Sequence, residues 1–180
     1  AYYNRLVLSM MPPDKDAAVL ELMSGSGLLT SALLEAGYHS TVHVDLSFDM
    51  MRLAKQDIGS HLRLCVGDAM TLPFSNERFD IVICRGGIHH LPNLFEAFTE
   101  VRRVLKPGGL LLTYDPCDDW WPTRVVRKAM YRLFDFFDAE HERGLTSAEL
   151  RRSCEASGFK VVQMRKFGFM GYTFSGMEAH

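Results

Sequence analysis

The chain has 180 residues, 47% hydrophobic and 23% charged, enough apolar material for the core of one globular domain spanning 1–180. Its 20 Lys and Arg against 22 Asp and Glu give a formal net charge of -2, so no general attraction to nucleic-acid phosphates is expected. The four cysteines, Cys65, Cys84, Cys117 and Cys154, form no C-x-x-C pair, which speaks against a zinc site or a disulfide framework and fits a reducing, cytoplasmic setting.

In chain order, Ala1 to Met11 reads as a short helix with Tyr2, Tyr3, Leu6 and Leu8 as apolar contacts, stopped by Pro12-Pro13-Asp14. Val19-Leu20-Glu21-Leu22 is a first strand, and Met23-Ser24-Gly25-Ser26-Gly27 is a tight glycine loop. Leu28 to Ala36 is a helix closed at Gly37. Glycine suits such a loop because backbone there takes angles that a side chain resists and comes close to a ligand. Thr41 to Asp45 is the second strand, with Asp45 at its C-terminal end and Ser47 as N-cap of the next helix. Leu62 to Asp68 alternates as a third strand, and Arg78 to Arg85 is nearly all apolar, as a central strand covered on both faces should be. Gly86-Gly87 then turns the chain into Ile88-His89-His90-Leu91-Pro92. Asn93 to Leu105 carries apolar residues at helical spacing, Lys106-Pro107-Gly108-Gly109 breaks it, and Leu110 to Asp115 is the fifth strand.

Beyond Pro116 the pattern is less regular. Thr123 to Asp138 has one apolar and one basic face, a design that packs on a sheet or rests on an anionic membrane surface. Asp118 and Asp119 read as solvated loop residues, two adjacent carboxylates being too few for a metal. Thr146 and Glu149 form a capping box, the helix they start ends at Gly158, and Phe159 to Lys166 is the sixth strand. Gly168 to Phe174 reads only as a stub of an antiparallel seventh. The whole is an α/β fold: a doubly wound, mostly parallel, Rossmann-like seven-stranded sheet with helices on both faces.

Several of these stretches together resemble the class I S-adenosylmethionine-dependent methyltransferases, in particular the small-molecule group related to the ubiquinone and menaquinone biosynthesis enzymes. The acidic residue before alternating glycines (Glu21, Gly25, Gly27), the Asp45-Leu46-Ser47 segment, Gly67-Asp68-Ala69 before Leu72-Pro73-Phe74, Phe79-Asp80 before His89-His90-Leu91-Pro92, and Leu105-Lys106-Pro107-Gly108-Gly109 carry the likeness. The resemblance covers Val19 to about Phe167. Met23 departs from it, since the family usually has glycine there.

The resemblance implies S-adenosylmethionine as cofactor. Asp45 would accept two hydrogen bonds from the ribose hydroxyls, with Leu46 beside it. Asp68 and the Ala69 N–H would read adenine, Gly67 would precede them, and Met50 would lie on the ring. Glu21, Met23, Ser24, Gly25 and Gly27 would cradle the cofactor, and Cys84, Arg85 and Gly86 would lie by its methionine moiety. His89 or His90 would face the substrate; one of the two is expected to reach the pocket, where histidine could remove a proton. Residues 116–145 would form a substrate lid, and 123–138 would offer peripheral membrane contact. No metal is expected, and the tetrapeptide of the amino-methylating enzymes is absent, so a small, fairly apolar acceptor methylated on oxygen or carbon is favoured. A non-catalytic module keeping the fold is the alternative; a nicotinamide-dependent reductase fits the glycine pattern worse.

Overall fold

The computed structural model describes residues 2–59, 62–122, 124–126, 129, 144–167 and 172–179. Its centre is a set of largely apolar strands, parallel to one another: β1 (Val19–Leu22), β2 (Thr41–Asp45), β3 (Arg63–Val66), β4 (Phe79–Arg85) and β5 (Leu105–Pro116). With β6 (Phe159–Phe167) and β7 (Tyr172–Ala179) they form one seven-stranded sheet in the order β3-β2-β1-β4-β5-β7-β6. The order reverses between β1 and β4, leaving a crevice at the C-terminal strand ends where open α/β sheets take ligands.

Each face of the sheet has its own core. Val19, Ile81, Ile83, Leu112 and Tyr114 point to α1 (Tyr2–Leu8) and α2 (Leu28–Glu35), where Val7, Leu29 and Leu33 meet them. Leu20, Leu22, Val82, Cys84 and Leu111 point to the opposite face, under α4 (Leu94–Val104) and α5 (Ser147–Ala156). Capping fixes where the helices begin. Ser47 receives the Met50 N–H ahead of α3 (Phe48–Ile58), Asn93 those of Phe95 and Glu96, and Thr146 that of Glu149. At α2 the capping position is Gly27, and no side chain satisfies the first amides.

Two expectations are corrected. The seventh strand is no stub: β7 runs eight residues and lies between its neighbours, pairing antiparallel with β5 from Leu110↔Glu178 to Pro116↔Tyr172 and with β6 on its other side. Its sequence, rich in small and polar residues, hides a strand held on both edges. The Lys106–Gly109 segment does not separate helix from strand, because β5 starts at Leu105 directly after α4, with a bulge where the register passes from Phe79↔Leu105 to Ile81↔Leu110. A Cβ at Gly109 would stand 2.8 Å from the Lys106 carbonyl oxygen, which explains that glycine. Most of the 123–138 helix expectation and residues 168–171 lie outside the described residues. Among the described residues no helix is long and apolar enough to cross a membrane.

Candidate active site

Leaving β1, the chain must reverse within five residues to enter α2. Met23, Gly25 and Gly27 do this with positive φ, at 54°, 55° and 86°. For the one non-glycine this costs about 1–2 kcal/mol. The Met23 side chain passes over Gly87, where a Cβ would stand 2.7 Å from its Sδ and 2.8 Å from its Cβ. Gly87 is thus the small residue that leaves room for the Met23 side chain at the facing turn.

Beside the loop, a cavity of about 280 Å³ is lined by Met23, Val44, Asp45, Leu46, Gly67, Asp68, Ala69, Met70, His90, Leu91 and Pro92. Asp45 is half-buried; its carboxylate accepts the Gly25 N–H at 2.8 Å and the Ser47 N–H at 2.9 Å, which ties the glycine loop to the end of β2 and leaves lone pairs for a ligand. Asp68 is exposed and accepts the Met70 N–H at 2.8 Å. Where a Cβ would stand on Gly25 or on Gly86, there is nothing within 4 Å, so bare backbone faces open space at the ends of both β1 and β4.

The remaining expected positions divide. Met50 does not line the cavity, while Met70 and Val44, which the sequence did not suggest, do. Ser24 turns its hydroxyl to the Val44 carbonyl. Glu21 lies 2% exposed beneath the loop, where its carboxylate meets Thr30 Oγ1 at 2.8 Å and His43 Nδ1 at 2.8 Å. Cys84 is buried, and burial, reinforced by nearby Asp115, pushes its thiol well up, so it stays protonated. Arg85 donates to Asn4 Oδ1 at 3.1 Å, and Asn4 in turn donates to the Leu28 carbonyl, which pins α1 across the strand ends.

The two histidines follow one another in a short 3-10 turn (Ile88–His90), their ring centroids 4.0 Å apart and their planes inclined by 40°. His90 is exposed and borders the cavity. His89 turns inward, its Nδ1 2.9 Å from Oδ1 of Asp115 at the end of β5. Asp115 was missed in the sequence; the signal was available, since it closes an apolar strand as Asp45 does.

A family profile described as a methyltransferase domain matches residues 20–113, the span holding the loop, the cavity and the histidine turn. The chain belongs to the class I S-adenosylmethionine-dependent methyltransferases. A demethylmenaquinone methyltransferase of Staphylococcus aureus is 30% identical over 188 residues, covering 92% of this methyltransferase and 77% of the relative. A Bacillus halodurans methyltransferase structure superposes with a TM-score of 0.83 at 20% identity over 99% of both chains. A Pyrococcus horikoshii protein does so with 0.76 at 26% identity over 99% and 91%.

The cofactor is S-adenosylmethionine. The methyltransferase's residues fit it: Gly25 and Gly86 leave room against bare backbone, the α2 amides are uncapped, and two carboxylates, Asp45 and Asp68, line an apolar-walled cavity. The start of the segment after β5 is also ordered differently from expectation. Asp119 is no solvated loop carboxylate, for it accepts from Lys166 Nζ at 2.6 Å and from the backbone N–H and hydroxyl of Ser147. Asp118 N–H donates to the Leu145 carbonyl at 2.9 Å, so 117–119 and 145–147 are fastened together.

Proposed function

We propose that this methyltransferase transfers a methyl group to an oxygen or carbon of a small, fairly apolar metabolite. The observation that carries the reading is the juxtaposition of the apolar-walled cavity, at the ends of β1, β2 and β3, with the His89–His90 turn that follows β4. The Staphylococcus aureus relative, whose name gives demethylmenaquinone as what it methylates, supports an acceptor of this kind.

When bound, the cofactor supplies a sulfonium-activated methyl group. Asp45 would hold the ribose hydroxyls, Asp68 and the Ala69 N–H the adenine, with Leu46 and Met70 against the ring, and the Gly25 and Gly86 backbones the methionine end. His89 or His90 would take a proton from an ionisable acceptor. The rest is alignment and exclusion of water, which convert a bimolecular encounter into an oriented one. Residues 116–145 would close over the acceptor as a lid, fastened at the base by Asp119. Exposed Trp120, Trp121, Val125 and Val126 would give that segment its affinity for apolar acceptors and for a membrane surface.

The test is calorimetric titration with S-adenosylmethionine and S-adenosylhomocysteine, with NADPH as control, followed by labelled methyl transfer to phenols, 1,4-dihydroxynaphthalene, enolisable ketones and anilines. Micromolar binding, about -8 kcal/mol, and labelling of the hydroxyl or carbon acceptors are expected. A second reading, a non-catalytic module, is motivated by the left-handed Met23 at the methionine end; absence of cofactor binding would establish it.

A further inference from the structure

Met23 bridges two turns. Its side chain is part of the cavity wall, and it also reaches the turn after β4, where the space that a Gly87 Cβ would fill is flanked by Met23 Sδ at 2.7 Å and Cys84 Sγ at 3.0 Å. The thioether thus links the chain leaving β1 to the chain leaving its neighbour β4. The cavity lies on one side of that link. Its wall takes in Asp45, Gly67, Asp68 and Met70 but neither Gly25 nor Gly86, whose bare backbones face open space instead. At about 280 Å³ the cavity stands at the lower end of the range of small-molecule sites, about 300–1,000 Å³, so it suits a nucleoside better than a longer molecule.

The side chain has no slot to withdraw into. Met23, Ala69 and Leu91 also wall a second, apolar cavity that reaches Phe98 of α4, and its free volume is only about 10 Å³, room for one water molecule at most. A thioether does not fit there. The backbone of Met23 is equally constrained, because the chain has to turn toward α2 with this residue at φ 54°, and the next residue is tied to β2 by the Ser24 N–H, which donates to the Val44 carbonyl at 3.0 Å. Met23 is therefore a fixed wall, packed against the hydrophobic core on its inner side.

We infer that Met23 is a specificity-determining residue that walls the nucleoside part of the site off from the Gly86 backbone, so that adenine nucleosides with a short 5′ substituent are ligands of this protein in their own right. This rests on the methyl-transfer reading above, in which ribose and adenine take the Asp45–Asp68 end. An amino-acid arm that runs from the ribose toward Gly86 meets the thioether, and its own contacts are offset by the cost of shifting a packed side chain. A short 5′ thioether, or none, stops before that wall. Selectivity is a difference of affinities, and here the difference between the long ligand and the short one is small because the wall acts on the long one alone.

Calorimetric titration of the full chain with S-adenosylhomocysteine, 5′-methylthioadenosine and adenosine tests this without turnover. In the wild type S-adenosylhomocysteine should bind no more than about tenfold tighter than 5′-methylthioadenosine. A larger advantage overturns the inference, and since that comparison needs no variant it decides the matter even if the variants do not fold. Met23→Gly should tighten S-adenosylhomocysteine roughly tenfold to a hundredfold and leave adenosine unchanged. Met23→Ala should do the same, because it removes the thioether but keeps the left-handed backbone under a Cβ. Met23→Leu, of similar bulk, should keep the wild-type ratio. If Met23 serves only the fold, its variants change the melting temperature and move all three ligands together; that result overturns the inference, as does an unchanged or weakened S-adenosylhomocysteine affinity in folded Met23→Ala. A wild-type chain that binds none of the three would instead sink the cofactor reading, a separate result.

Discussion

Asp45 anchors the Gly25 N–H with a carboxylate that also lines the cavity, where it would hold the ribose hydroxyls of the proposed cofactor site. Asp45→Ala should weaken S-adenosylmethionine binding at least about tenfold by calorimetry, more than loss of one neutral hydrogen bond would. Gly87 and Met23 should behave as one unit. A Cβ at Gly87 collides with the Met23 Cβ, which cannot swing away as a side-chain tip can. Gly87→Ala is therefore expected to cost about 1–3 kcal/mol in urea unfolding, and Met23→Gly in the same chain to recover most of it. Met23 could be recognised in the sequence as the odd residue of its loop, but the compensating Gly87 could not, because 64 positions separate two residues that only the β1–β4 pairing makes neighbours. Asp115 was hidden for the same reason. Its type and strand-end place were visible, whereas its partner His89 is 26 residues away.

Single elements were most legible where their signals are local. The capping residues Ser47, Asn93 and Thr146 each act within three positions, and each starts its helix where it should. Interactions between elements were less so. Glu21, His43 and Thr30 join β1, β2 and α2 directly below the glycine loop, with Glu21 opposite His43 in the strand register. Removing one member strands the others. His43→Leu should destabilise by about 3–5 kcal/mol in thermal or urea unfolding, because a carboxylate is left buried without its partner. The Asp119 clip joins three elements and has a pH signature. Burial pushes this carboxyl up, but hydrogen bonds from Lys166, Ser147 and Cys117 prevail and hold it well below the ordinary aspartate value of 3.8. A carboxyl lowered by folding adds stability above the unfolded value and loses it as pH falls through the folded one. Asp119→Asn should thus melt lower than wild type at pH 7, and the gap should narrow steadily as the pH drops below 3.8.

For the molecule as a whole, ligand binding and stability are linked. S-adenosylhomocysteine at about a hundred times its Kd should add about 2.7 kcal/mol, which for a domain of this size is a Tm rise of roughly 5–11 °C by scanning fluorimetry; NADPH should leave Tm unchanged. The parallel half of the sheet was readable because its strands are apolar runs closed by glycine or aspartate. The last strand was not, because β7 owes its place to two neighbours rather than to its own composition. That placement has a consequence for how the chain is made. β7 fills the gap between β5 and β6, with Leu110 to Pro116 on one side and Phe159 to Phe167 on the other. On a ribosome, then, β1 to β5 can assemble early but must wait with the β5 edge bare, and β6 has nowhere to dock until β7 emerges. The unpaired β5 edge makes the nascent protein most prone to aggregate in the interval before β7 is out.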